Sequence, residues 1–303
     1  LNPLRADPSL TLLEGDISDP TLQGGAVQGV DTVFHLAAAH LSVSDDTSVY
    51  RRVNVDAVKG LVERSRDAGV TRLVHCSTVG VYGALRVQPA DENTPCNPEF
   101  DYENTKLEGE EILLDAHRTG AFPVTILRPA WVYGPACPRT AKLFRAIRKR
   151  RFPMAGNGGS FRHSRYIRDM CTAFVLAATT EAALGQGILI ADDEAVTIRT
   201  LLETIAEIVD VPPPRSVPFW ALYAAGAIGE LLFGLVGREP PISRRSLRFF
   251  SGNTSFDTAR ARDLLGFRPA YGLDEGLRET FEIMEQGAFW TLPMPSPTLN
   301  RGR

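Results

Sequence analysis

Three apolar runs punctuate the first half of the chain: DTVFHLAAAH from Asp31, TRLVHCS from Thr71 and PVTILRP from Pro123. Each reads as a short strand covered on both faces, because its apolar residues are continuous rather than alternating. Between them lie stretches of helical spacing. One runs from Asp46 to Ala68, and another carries Tyr102 and Lys106 and stops at Gly120. Upstream, TLLEGDISD predicts a strand at Thr11, a turn over Glu14, Gly15 and Asp16, and a helix capped by Ser18 or Asp19. Strands alternating with helices of ten or more residues argue an α/β chain with a doubly wound parallel sheet. At 303 residues the chain can hold a large core, and after Pro129 the alternation gives way to Pro/Gly-rich turns, as a smaller C-terminal lobe requires.

The stretch from Cys76 to Lys106 concentrates the chemistry. Ser77 and Thr78 close a strand, and a hydroxyl at the C-terminal end of a strand lies where open α/β sheets place their ligands. Tyr102 and Lys106 stand four apart and therefore share one helix face. Bringing a tyrosine from about 10 to near 7 takes roughly 4 kcal/mol. A charge pair at ~4 Å supplies about that much at an effective dielectric near 20. One lysine can thus turn a phenol into a usable base; the alternative is an ordinary surface pair. Most other basic residues are arginines, which do not trade their proton.

Charge and composition exclude other classes. A net charge of −3 leaves no electrostatic footprint for nucleic acid. The basic run Arg145, Arg148, Lys149, Arg150 and Arg151 reads as a solvated helix end. Cys76, Cys96, Cys137 and Cys171 have neither metal-ligand spacing nor a disulfide frame, so reduced thiols, no metal and a cytoplasmic setting are expected. LNPLRADPSL lacks the apolar core of a signal peptide. Phe219 to Gly237 approaches the length of a membrane span, but Glu230 lies inside it. It reads as a buried or pocket-lining helix, with peripheral membrane contact as the alternative. His35 and His40 read as a core and a loop histidine.

STVGVYG, then YENTK, then ILRPAWVYGP together resemble the extended short-chain dehydrogenase/reductases, which include nucleotide-sugar epimerases, dehydratases and 3β-hydroxysteroid dehydrogenases. The resemblance runs from about Leu12 to about Met284 and implies a Rossmann-like fold binding NAD or NADP. It implies a dinucleotide-binding domain over 1–135 that later segments rejoin, a substrate lobe over 136–286, and a disordered tail over 287–303. It gives Tyr102 the role of acid/base, has Lys106 lower its pKa and contact the nicotinamide ribose, and has Thr78 orient the substrate oxygen. Asp16 and Ile17 are expected at the adenine, Ala37 and Ala38 beside the dinucleotide backbone, and Pro129 and Ala130 beside the nicotinamide. Asn54 is expected as a buried bridge to the site. Arg162 and Tyr133 are expected at the substrate, and Asp169 matches a family carboxylate. The apolar C-terminal lobe favours a small hydrophobic, 3β-hydroxysteroid-like alcohol or ketone, and the family implies a homodimer.

One part of the pattern is not in these residues. A dinucleotide fold holds its pyrophosphate with a strand, a glycine-rich turn and a helix N-terminus. Gly24, Gly25 and Gly29 lack that spacing, and Gly156, Gly158 and Gly159 lie in the far lobe. The match begins near the family's third strand, which places roughly forty residues of the fold before it. The polypeptide alone is therefore expected to bind cofactor weakly. Two rivals to an alcohol dehydrogenase stay open, a nucleotide-sugar epimerase using the same tyrosine and a non-catalytic dinucleotide-binding protein. A 4,6-dehydratase fits less well, since Val79 stands where that group has an acid.

Overall fold

The computed structural model describes residues 7–39, 47–234, 247, 250 and 252–287, with side chains described outside 231–234. His40, Leu235 to Gly237 and the tail from 288 lie outside the described residues.

The core is a sheet in the order β1 (Thr32–His35), β2 (Arg72–Cys76), β3 (Val124–Pro129), β8 (Gly187–Ile190), every neighbouring pair parallel. All six residues of β3 and the first four of β2 are buried, as strands covered on both faces must be. Leu73, Val124 and Ile126 face α3 (Ala57–Asp67) and α4 (Asp101–Arg118). Val74, Leu127, Ile188 and Ile190 face α6 (Ile167–Thr179) and α9 (Ala259–Leu265). Helices on both faces make the sheet doubly wound. In register, His35 lies beside His75, and Cys76 beside Leu127, so β1 and β2 end on the same side as α4 begins.

Asp19 caps α1 (Pro20–Ala26), its side chain accepting from the Thr21 amide at 2.8 Å. The strand expected at Thr11 does not form. Thr11 to Glu14 are exposed irregular chain, because β1 pairs only with β2 and no described ladder reaches this segment. Leu10, Leu12 and Leu13, together with Phe34 and Leu36 at β1, accordingly remain exposed.

The second lobe gathers around Phe144, Ile147, Leu201, Leu202, Ile205 and Leu277. It contains α5 (Pro138–Arg148), α7 (Ile198–Ile208), α10 (Leu273–Glu285) and three two-stranded sheets. These pair β4 (Trp131–Tyr133) with β7 (Ser164–Tyr166), β5 (Met154–Ala155) with β10 (Ser216–Val217), and β6 (Phe161–Arg162) with β9 (Val196–Thr197). The chain crosses back between the lobes, since α6, β8 and α9 belong to the main sheet. Arg165 is fully buried and ties the return together, pairing with Asp169 at 2.6 Å and Asp192 at 2.7 Å and donating to the Tyr271 carbonyl.

The basic run ends α5 in solvent, where cations suit a helix C-terminus. The four cysteines are free thiols. Helix α8 covers Phe219–Gly234, and no helix among the described residues is long and apolar enough to cross a membrane.

Candidate active site

The site forms where β2 ends. The Ser77 amide continues the ladder to the Leu127 carbonyl, and Thr78 then turns the chain into a 3₁₀ turn, Val79–Tyr82. The Thr78 hydroxyl accepts from the Gly80 amide at 3.0 Å, capping that turn. Gly83 follows at φ +62, and a Cβ there would lie 2.0 Å from the Asn97 carbonyl oxygen. Only glycine lets the chain reverse so close to its own backbone. The reversal brings the loop back to Phe100 and starts α4, whose first turn contains Tyr102.

Tyr102 is half-buried, and Lys106, one turn on, is 1% exposed. Lys106 Nζ reaches the C-terminal end of β2, donating to the Cys76 carbonyl at 2.8 Å and sitting 3.0 Å from His75 Nε2. Burial pulls the ammonium down to about 8, against the opposing pull of Cys76 and Glu110. Burial pushes the Tyr102 phenol up to about 12, with Cys76 and Glu103 adding to the rise and Arg139 opposing it. This corrects the expectation that Lys106 lowers the phenol: the ammonium is engaged by β2, and desolvation governs Tyr102.

Behind this pair lies a fully polar support. Asn54, 1% exposed, accepts from the Ala39 amide at 2.9 Å and donates to the Ala39 carbonyl at 3.2 Å and the Thr105 hydroxyl at 3.1 Å. It therefore stitches the segment after β1 to the residue before Lys106. Glu110 is fully buried and forms a bidentate pair with Arg128, which also donates to the Tyr82 hydroxyl at 2.8 Å.

The other expected residues divide. Ala37 and Ala38 lie beyond the end of β1, exposed and half-buried. Asp16 is exposed and accepts from the Ser18 amide at 2.8 Å, a bond that holds its carboxyl below the usual range, with Ile17 half-buried beside it. Pro129 and Ala130 are buried at the end of β3, the Ala130 amide bonded to the Ile190 carbonyl. Arg162 is half-buried, its Nη1 donating to the Phe161 and Gly252 carbonyls at 2.8 and 2.7 Å. Asp169 is a buried anchor, paired with Arg165 and accepting from the Ala270 and Tyr271 amides. Tyr133 is a correction. It is 1% exposed, packs against Tyr166 and Trp131, and lies against Gly276 of α10, so it is a core side chain and not a substrate contact. Sequence reasoning missed His75, Glu110 and Arg128. The one available signal was a histidine in an otherwise apolar strand, one residue before the carbonyl that Lys106 uses.

For a dinucleotide, the residues present fit the nicotinamide end. Small alanines follow β1, and the buried Ser77 hydroxyl has no hydrogen-bond partner among the described residues. Lys106 also has a third N–H beyond its two acceptors. The model of the NAD dependent epimerase/dehydratase family matches residues 2–191. The chain belongs to that family.

Among relatives of this family, the chain is 27% identical over 294 residues to a 3beta-hydroxysteroid-dehydrogenase/decarboxylase of Arabidopsis thaliana, covering 89% of this chain and 66% of that protein. A second Arabidopsis isoform is covered over 51% of its length, so the chain spans only about half to two thirds of these two relatives. It is 26% identical to an undecaprenol-linked N-acetylglucosaminyl 4-epimerase of Escherichia coli O157:H7, covering 91% of this chain and 83% of that one. A dTDP-glucose 4,6-dehydratase from Streptomyces venezuelae, solved with NAD bound, superposes with a TM-score of 0.74 at 26% identity, over 95% of this chain and 84% of that one.

Proposed function

We propose that the chain is the catalytic part of an NAD(P)-dependent oxidoreductase that interconverts a secondary alcohol and a ketone on a small hydrophobic substrate. The observation that carries the reading is that Lys106 and the Tyr102 phenol both lie near Cys76 at the C-terminal end of β2, two residues before Thr78. When bound, the dinucleotide exchanges a hydride with the carbinol carbon. On this reading Ala37, Ala38, Asn54, Lys106 and Ala130 border its nicotinamide half. Tyr102 keeps its proton at neutral pH, so it stands ready as the acid that protonates a ketone oxygen, and it retrieves that proton from the hydroxyl in the reverse direction. Thr78 still has its hydroxyl hydrogen to donate to the same oxygen. Lys106, one helical turn on, is held at the end of β2 by the Cys76 carbonyl and His75.

The apolar α8, with Trp220 and Tyr223 exposed, favours an apolar substrate. A second reading, a nucleotide-sugar epimerase, draws on the likeness to the 4-epimerase and uses the same tyrosine. A panel of sterols, alkyl ketones and sugar nucleotides separates them. The oxidoreductase gives a nicotinamide absorbance change stoichiometric with product, whereas sugar inversion without net absorbance change would overturn it in favour of the epimerase.

A further inference from the structure

We propose that His75 is the positioning residue for Lys106: a neutral imidazole, buried in β2, whose Nε2 accepts from the lysine ammonium and fixes where it points. The geometry leaves little latitude. His75 is 0% exposed, its Nε2 lies 3.0 Å from Lys106 Nζ, and the Cys76 carbonyl takes a second N–H at 2.8 Å. An ammonium has three donors and no lone pair, so the ring nitrogen facing it must be the acceptor and the proton must sit on Nδ1. Nδ1 has no hydrogen-bond partner among the described residues. Two donors spent on β2 leave one for the open side of the site.

The surroundings keep the imidazole neutral. His35 from β1 lies 4.9 Å away ring to ring. From α4 come Lys106 and Glu110, and Glu110 is already neutralised by its bidentate pair with Arg128 of β3. Cys76 is the remaining titratable neighbour on β2. Burial and the adjacent ammonium hold His75 well below the usual histidine range. A carboxylate at this position would pin Lys106 as a permanent cation. An imidazole holds it in place while leaving it free to titrate near neutrality, as a lysine supporting proton exchange at Tyr102 requires. This catalytic meaning rests on the oxidoreductase reading; the hold on Lys106 does not.

The chain has four lysines, Lys59, Lys106, Lys142 and Lys149, so a protein labelled with ¹³C at lysine Cε gives a spectrum simple enough to titrate residue by residue. Lys106→Arg identifies the Lys106 signal. In the unmodified chain this signal should titrate near 8. His75→Leu removes the acceptor and should lower the midpoint by at least about one unit, a tenfold loss of proton affinity. His75→Gln, which keeps an acceptor oxygen, should bring it back toward the starting value. A loosened core would not distinguish leucine from glutamine in this way. If Lys106 titrates at the same pH in all three proteins, the assignment is overturned. Failure of the oxidoreductase reading would show separately, as sugar inversion without net change in nicotinamide absorbance or as turnover that does not need Tyr102.

Discussion

Lys106 carries a charge in a place that penalises it. Its folded value of about 8 lies below the 10.5 of an unperturbed lysine. Below pH 8 both folded and unfolded chains are protonated there, and the fold bears the cost of burial. Between about pH 8 and 10.5 the unfolded chain holds the proton more tightly than the native one, so stability rises with pH across that window. The full difference corresponds to roughly 3 kcal/mol. Lys106→Met should therefore be the more stable protein at pH 7, by up to that amount, in urea unfolding. The advantage should shrink toward pH 10, and a wild-type chain that is equally stable or better at pH 7 would contradict it. Sequence spacing revealed that Tyr102 and Lys106 share a face, because helical period is a local property. It could not reveal which way the ammonium turns, because His75 and the Cys76 carbonyl come from a strand thirty residues earlier. Tyr133 misled for the same reason: its motif position was recognisable, but its burial is decided by α10.

At the level of elements, the approach of α4 to the segment before α3 sets the position of the pair. A π-helical turn over Arg52–Asp56 lies against α4, and a Cβ at Gly109 would stand 2.5 Å from the Asn54 carbonyl oxygen. Gly109→Ala must therefore push the two apart. A loss of about 1–3 kcal/mol is expected, the usual cost of overpacking, and unchanged thermal unfolding would show that the contact does not constrain the two elements. The strands β1, β2 and β3 were legible because each is a continuous apolar run between turn signals. The strand at Thr11 was a false positive, since a strand also needs a partner and β1 offers none on its described side. The two- and three-residue strands of the second lobe were not legible at all, because so few residues carry no period.

Across the whole molecule, the parallel sheet and its helices are legible through alternation, while the cluster around Phe144 and Leu277 is held by contacts remote in sequence. Arg165, Asp169, Asp192 and Tyr271 meet only after the chain has crossed between lobes, and no local pattern foretells such a meeting. The likeness to known proteins gives the family and the fold, and the proposed reaction centres on the end of β2. The most direct check is the steady-state rate of Tyr102→Phe beside the unmodified protein, with cofactor well above its dissociation constant and a ketone that turns over. Loss of the phenolic proton donor should lower kcat by at least about 10²-fold with little change in KM. A phenylalanine variant that retains the full rate would remove Tyr102 from the chemistry and with it the proposed reaction.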